Sequence, residues 1–342
     1  MRTLFEQIIK EALEEGGQAI SSAQDVRGDL AGKIAHELIG AISNVFGCDA
    51  SPVGSTGKKG PDAYSGDIDI LLNMPWEEKN EEVAEWVKQE FPGCEMKIQP
   101  GFKQISFGYP YNEDGGEEKV AQVDLMFTTN FEWRKFSMAS PSPKESRFKG
   151  LVRTVLLKHV TKVIPMNDPD GKYADEFYGD DEFDGKFKGQ LKGYWRYMWD
   201  DERGVVIAYR TNVGKRGPRS AFETPQDKKV TMAHTVKDGI HLIFGPEVTM
   251  EDLYSPETIV AFLFSGKYPY DDPETLQKIH DGVVNTKQVM AVDGAVEAFE
   301  ELWGEYAGEP EEQPQVEPAY SSSINENRRF RMKMRDLIRR MK

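Results

Sequence analysis

Asp67 and Asp69 stand one residue apart in the apolar run "SGDIDILLNMP", with eleven residues between Asp67 and the Gly54-Ser55 pair of "VGSTGKKGPDAY". In an extended strand alternate side chains share a face, so both carboxylates point one way while Ile68 and Ile70 point into a core. A structural strand gains nothing from two adjacent like charges. They become favourable when they hold hard divalent cations, Mg²⁺ or in its place Mn²⁺, which take oxygen ligands and keep phosphates as additional ones. A site for two ions needs at least one more carboxylate. Asp124 is the best candidate, because "VAQVDLMFT" turns Val123 and Leu125 to one face and Asp124 to the other.

The segment before the paired aspartates suits the anion that would accompany such ions. Gly54 allows close backbone approach, the Ser55 hydroxyl and nearby N–H groups can donate to phosphate oxygens, and Lys58 or Lys59 adds positive charge. After Asp124, Lys149 and Arg153 are four residues apart in "KESRFKGLVRTVLLKHVTKVI", which reads as an amphipathic helix over 144–164. They share one face, suited either to a triphosphate or to an ordinary solvated surface. His159 on the same segment reads as a surface or packing residue.

These residues need elements to hold them. Residues 28–46 repeat Leu30, Ile34, Leu38, Ile42 and Val45 at helical steps, and residues 3–15 show similar spacing. "DIDILLNM" is followed by a Glu-rich helix (77–90), the strands "EMKIQ" and "KQISFGY", the acidic turn 112–118 and the strand bearing Asp124. Helices against several strands make an α/β (α+β) sheet domain. Farther on, "KGYWRYMWDDERGVVIAYRTNV" predicts two strands joined by a charged turn at Asp200–Gly204, and "KVTMAHTV" and "IHLIFG" are further strand candidates. The run "YWRYMW" reads as half-buried strand, the acidic stretch 175–185 as a solvated loop, and Lys215, Arg216 and Arg219 as a weak phosphate-backbone contact. Residues 250–303 return to helical patterning.

Bulk composition narrows the classes. The 342 residues carry 39% hydrophobic and 11% aromatic side chains, enough for an ordinary core. A net charge of −15 argues against coating nucleic acid with the whole surface. Cys48 and Cys94 are the only cysteines, which makes neither a disulfide framework nor a zinc set and suits a reducing cytoplasm. No stretch approaches the ~20 apolar residues needed to span a bilayer, and no membrane association is expected. The C-terminus has an acidic, Pro-containing stretch, with five Glu and three Pro in residues 305–318, then eight Lys/Arg against two acids from Asn325 onward. That pattern predicts a linker and a basic helical tail able to dock on a partner or on nucleic acid.

Gly-Ser, a short loop, Asp-x-Asp on an apolar strand and a lone Asp on a later strand together resemble the DNA polymerase beta nucleotidyltransferase superfamily. "SGDIDILLNMP" is especially similar to the corresponding segment of family-X DNA polymerases, and "QVDLMFT" to their third-carboxylate strand. Lys58 and Lys59 stand for the adjacent basic residues that follow Gly-Ser there, displaced by Thr56-Gly57. The resemblance covers about residues 30–160. It implies a palm-type mixed sheet with helices, phosphate contact at Gly54 and Ser55, and metal binding at Asp67, Asp69 and Asp124. The organisation expected is an N-terminal helix (1–24), a nucleotidyltransferase domain (25–165), a mixed accessory domain that binds the acceptor (166–303), the linker (304–323) and the tail (324–342). The activity implied is metal-dependent transfer of a nucleoside monophosphate from an NTP or dNTP, ATP among them, to a nucleic acid, protein or small-molecule acceptor. A family-X-like DNA polymerase and a non-catalytic assembly protein retaining the fold are the alternatives. The compact chain, without a recognised motif after 165, also suits a viral or mobile-element protein.

Overall fold

The computed structural model describes residues 19–113, 115–141, 146–148, 150–164, 193–211 and 230–307. The expected helix over 3–15, Lys149, the acidic loop 175–185, the basic loop carrying Lys215, Arg216 and Arg219, and the basic tail lie outside them. By their packing the described residues form two compact units. One takes the residues up to Thr154 together with Trp199–Val206 and Thr231–Val236; the other takes the remainder.

The first unit is built on a five-stranded mixed sheet. Strand β1 (Val26–Arg27) leads into helix α1 (Gly28–Phe46), then β2 (Ala50–Pro52), β3 (Tyr64–Ser65) and β4 (Asp67–Asn73). Helix α2 (Trp76–Glu90) crosses to β5 (Met96–Gln99), β6 (Gln104–Asn112) and β7 (Glu118–Thr128). The strand order is β2-β4-β7-β6-β5, with only the β4–β7 pair parallel. The α2 crossover is what allows that parallel pair, since parallel neighbours cannot be joined by a tight turn.

One face of the sheet is covered by α1 and α2. Ile34, Leu38 and Ile42 of α1, and Val83 and Val87 of α2, pack with Ile68, Ile70, Leu72, Phe107, Val123 and Leu125. Burying each of these aliphatic side chains contributes about 1.5–3 kcal/mol. Val45, expected in the α1 stripe, is 59% exposed. Successive helical residues differ by about 100° in direction, and it is the adjacent Phe46 that packs on the core. Leu71 of β4 points to the opposite face, where it packs with Val53 and Met126. That face also carries the odd-numbered aspartates.

Two further expectations change in this region. Residues 19–24 are a turn and an extended lead-in rather than the end of a helix. Ile20 is fully buried there, and Gln24 N–H donates to Val120 O at 2.8 Å. The helix expected over 144–164 starts later, as α4 (Gly150–Val163), following α3 (Phe131–Ser137). Trp133 of α3 lies against Trp199 with ring centroids 4.4 Å apart, and the Trp199 indole donates to Ser137 Oγ at 2.8 Å. The "YWRYMW" run therefore ends in a buried core tryptophan.

Strands β8 (Gly193–Asp200), β9 (Gly204–Thr211) and β10 (Val230–Ala233) form a second sheet in the order β10-β9-β8. Asp200 Oδ1 accepts from the N–H groups of Glu202 and Arg203, which closes the charged turn. "IHLIFG", expected as a strand, is instead the end of helix α5 (Val236–Phe244). Val236, Ile240, Ile243 and Phe244 are its buried positions, at i, i+4, i+7 and i+8. A short apolar run fits either period, and here the longer helical window decides.

Among the described residues the second unit also has α6 (Pro256–Leu263), α7 (Pro273–Val284), α8 (Lys287–Met290) and α9 (Ala295–Ala307). Ser255 caps α6 in a reciprocal box with Thr258, and Asp272 caps α7 through Thr275 N–H. α9 runs through Ala307, so residues 304–307 belong to a helix and not to the expected linker. Its buried Phe299, Leu302 and Trp303 anchor the helix up to residue 303, and its last turn, residues 304–307, continues it with exposed side chains. No helix among the described residues is long and apolar enough to cross a membrane.

Candidate functional site

The parallel register of β4 and β7 sets Asp69 opposite Asp124 and Asp67 opposite Gln122. Two strands ~4.8 Å apart with matching faces bring three carboxylates to one spot. One oxygen from each of Asp67, Asp69 and Asp124 lies within 4.8 Å of the others. Asp124 is buried and the other two are half-buried.

Their electrostatics follow from that crowding. Burial, then the charges of Asp67 and Asp124, push the Asp69 carboxyl well above the usual range. Burial also raises Asp67, with Lys59 offsetting part of the effect. Asp124 rises to about 6 through burial, to which the charge of Asp67 adds and which hydrogen bonds from Ser106, Gln122 and Gln104 moderate. Clustered, desolvated carboxylates are costly unless a cation compensates them. An all-oxygen set of hard ligands on two rigid strands fits Mg²⁺ or Mn²⁺.

The Gly-Ser turn is fastened directly to this cluster. Val53 N–H donates to Asp69 O at 3.1 Å, and Gly54 N–H donates to Met138 O at 3.2 Å. Gly54 has φ +60°, and a Cβ placed there would lie 2.5 Å from Asp69 Oδ2. Both conformation and space therefore require glycine. Thr56, only 3% exposed, accepts the Asp69 N–H on its hydroxyl at 2.9 Å. Ser55 follows Gly54 and is half-buried. Lys59 Nζ donates to Tyr64 O at 2.6 Å, and Lys58 Nζ donates to Ser140 O.

Arg153 is placed differently from the sequence expectation. It is fully buried, its Nη1 donates to Phe136 O at 2.9 Å, and its guanidinium lies 4.6 Å from the Phe136 ring centroid. Arg153 stands in α4, but this position faces a core, so the residue ties α4 to α3. His159 is a packing residue. Its Nε2 is 3.1 Å from Thr286 Oγ1, and burial pushes its pKa down to about 4.

Three polar residues around Asp124 escaped the sequence reading. Gln122 Nε2 lies 3.2 Å from both Asp124 oxygens, Ser106 is the cross-strand partner of Asp124, and Gln104 Nε2 donates to Ser106 Oγ at 3.0 Å. The signal was present as period-two polarity, Gln122 two before Asp124 and Gln104 two before Ser106.

Neither family models nor curated proteins match this chain. Among solved structures, it is similar to a polymerase beta from Leishmania infantum in a ternary P/T complex, at TM-score 0.39 and 12% identity over 69% of this chain and 78% of that one. It is also similar to an antigenic nucleotidyltransferase-like protein from Paracoccidioides brasiliensis, at TM-score 0.28 and 11% identity over 44% of this chain and 74% of that one. The chemical reading rests on the carboxylates themselves.

Proposed function

We propose that this protein is a metal-dependent nucleotidyltransferase, using an NTP or dNTP and an acceptor hydroxyl. The observation that carries the proposal is the convergence of Asp67, Asp69 and Asp124 within 4.8 Å, with the Gly54 turn backed onto Asp69. The three aspartates would hold two Mg²⁺ ions, with Mn²⁺ as a substitute; Asp67 and Asp69 would serve both and Asp124 would complete one. Divalent cations bound there supply the charge that neutralises a triphosphate and lowers the pKa of an attacking hydroxyl.

The chain's own groups do the rest. Beside the Gly54 turn, the Ser55 N–H and hydroxyl donate to phosphate oxygens, with Lys58 and Lys59 adding local positive charge. In the transfer, the acceptor oxygen bonds to the α-phosphorus and the bond from that phosphorus to the bridging oxygen breaks. Pyrophosphate leaves with the electron pair, and the hydroxyl proton passes to solvent. Positioning the two reactants in line and stabilising the developing charge account for most of such catalysis, because the phosphoryl chemistry asks little covalent work of the protein.

The test is a transfer assay with each α-labelled NTP and dNTP, Mg²⁺ or Mn²⁺, and a panel of primed DNA, single-stranded RNA, tRNA and cell lysate. Label on one acceptor with wild type, absent with the Asp67→Asn/Asp69→Asn double variant, supports the proposal. It also names the acceptor class, template-directed extension of primed DNA marking a polymerase. Label transferred equally by the double variant, or by neither protein on any acceptor, overturns it.

A further inference from the structure

The side chain of Gln122 is 4% exposed, and both ends of its amide are engaged. Its Oε1 accepts the main-chain N–H of Ile20 at 3.1 Å, and its Nε2 sits 3.2 Å from each oxygen of Asp124. A main-chain N–H can only donate and an ionised carboxylate can only accept, so the two neighbours dictate which way the amide lies. The carbonyl end must face Ile20 and the amino end must face Asp124.

Ile20 is itself anchored. Its side chain is fully buried, Gln24 N–H donates to Val120 O at 2.8 Å, and Ser21 N–H donates to Glu95 Oε1 at 3.0 Å. The segment over residues 20–24 is thus strapped to β7 and to the residue just before β5. It reaches the candidate centre through one amide.

From this geometry we infer that Gln122 is a positioning residue for Asp124, and that the strap at Ile20–Gln24 is a working part of the candidate centre. The inference rests on the reading of Asp124 as a metal-holding carboxylate. A carboxylate held on both oxygens by a donor that is itself fixed loses rotational freedom before any cation arrives. Polar partners behind a ligand set its orientation, and removing one typically costs 10–100-fold in metal affinity.

The test uses the full-length protein, with Mn²⁺ alone as the probe. Gln122→Met keeps the length and packing of the side chain but removes both hydrogen bonds; Gln122→Ala removes the side chain as well. Mn²⁺ affinity is measured by calorimetry and folding by thermal melting, alongside the kcat and nucleotide KM of transfer. The expected result is a folded Gln122→Met with Mn²⁺ affinity about 10-fold weaker, reduced kcat and little change in KM. Gln122→Ala should show at least as large an effect.

A melting-temperature loss in both variants with Mn²⁺ affinity equal to wild type assigns Gln122 a purely structural role and overturns the inference. Wild type that binds no Mn²⁺ and transfers no label overturns the proposed function instead. The two failures are therefore separate observations.

Discussion

Asp124→Asn should make the metal-free protein more stable at pH 7.5 and less stable at pH 4. The carboxyl holds its proton up to about 6 in the folded protein, against an ordinary 3.8. Between those values the folded state binds more protons than the unfolded chain, so stability falls as pH rises. The favourable contribution is complete below the ordinary value and lost once pH passes about 6. The difference between the two values corresponds to about 3 kcal/mol.

Asparagine escapes this ionisation cost. It loses roughly one good hydrogen bond, worth about 1 kcal/mol, because Gln122 Nε2 reaches both aspartate oxygens while an amide offers one. The net gain at pH 7.5 is about 2 kcal/mol, or roughly 4–8 °C in melting temperature for a chain with units of this size. At pH 4, just above the ordinary value, most of the ionisation cost is absent and the lost hydrogen bond outweighs what remains, so the order inverts. Thermal melts of both proteins in EDTA at the two pH values measure this directly. The same rank order at both pH values would refute the reasoning. Adding Mg²⁺ or Mn²⁺ at pH 7.5 should shift the order back toward the wild type, since a ligand binding only the folded state stabilises it.

Gly54→Ala combines a positive φ with a Cβ 2.5 Å from Asp69 Oδ2. The strain costs about 1–2 kcal/mol, and the displaced carboxylate should weaken Mn²⁺ binding at least about 10-fold; wild-type affinity by calorimetry would contradict the assigned contact. Thr56→Val keeps shape but leaves the Asp69 N–H without its 2.9 Å acceptor. It should lose about 1–3 kcal/mol in urea denaturation and raise the nucleotide KM; stability and KM both unchanged would show that Thr56 does not pin the turn. Gly282→Ala brings a Cβ within 2.1 Å of His159 Nδ1. It should destabilise the protein by about 1–3 kcal/mol without changing Mn²⁺ affinity, and a variant as stable as wild type would disprove that packing.

The local elements near the site were largely legible. α1, β4, α2 and β7 follow from apolar period and turn residues, because each element must bury one face whatever its partners. The errors came where a short run carried too little period to decide. "IHLIFG" fits two residues per repeat as well as 3.6, and only the added turn from Val236 makes it a helix. Arg153 shows a different limit: charge on a helix suggests solvent, yet a guanidinium can be buried where main-chain carbonyls and a ring receive it.

By itself the sequence determined that Asp67 and Asp69 share a face, because strand geometry allows nothing else. It also determined that Asp124 lies opposite Val123 and Leu125. It could not determine that β4 and β7 are neighbours, parallel, and in the register that puts Asp69 beside Asp124. Pairing across fifty residues depends on how helices and crossovers bury the sheet, which no local pattern records. The same holds for Gln122, whose amide becomes meaningful only when the Ile20 N–H arrives from a hundred residues away and orients it.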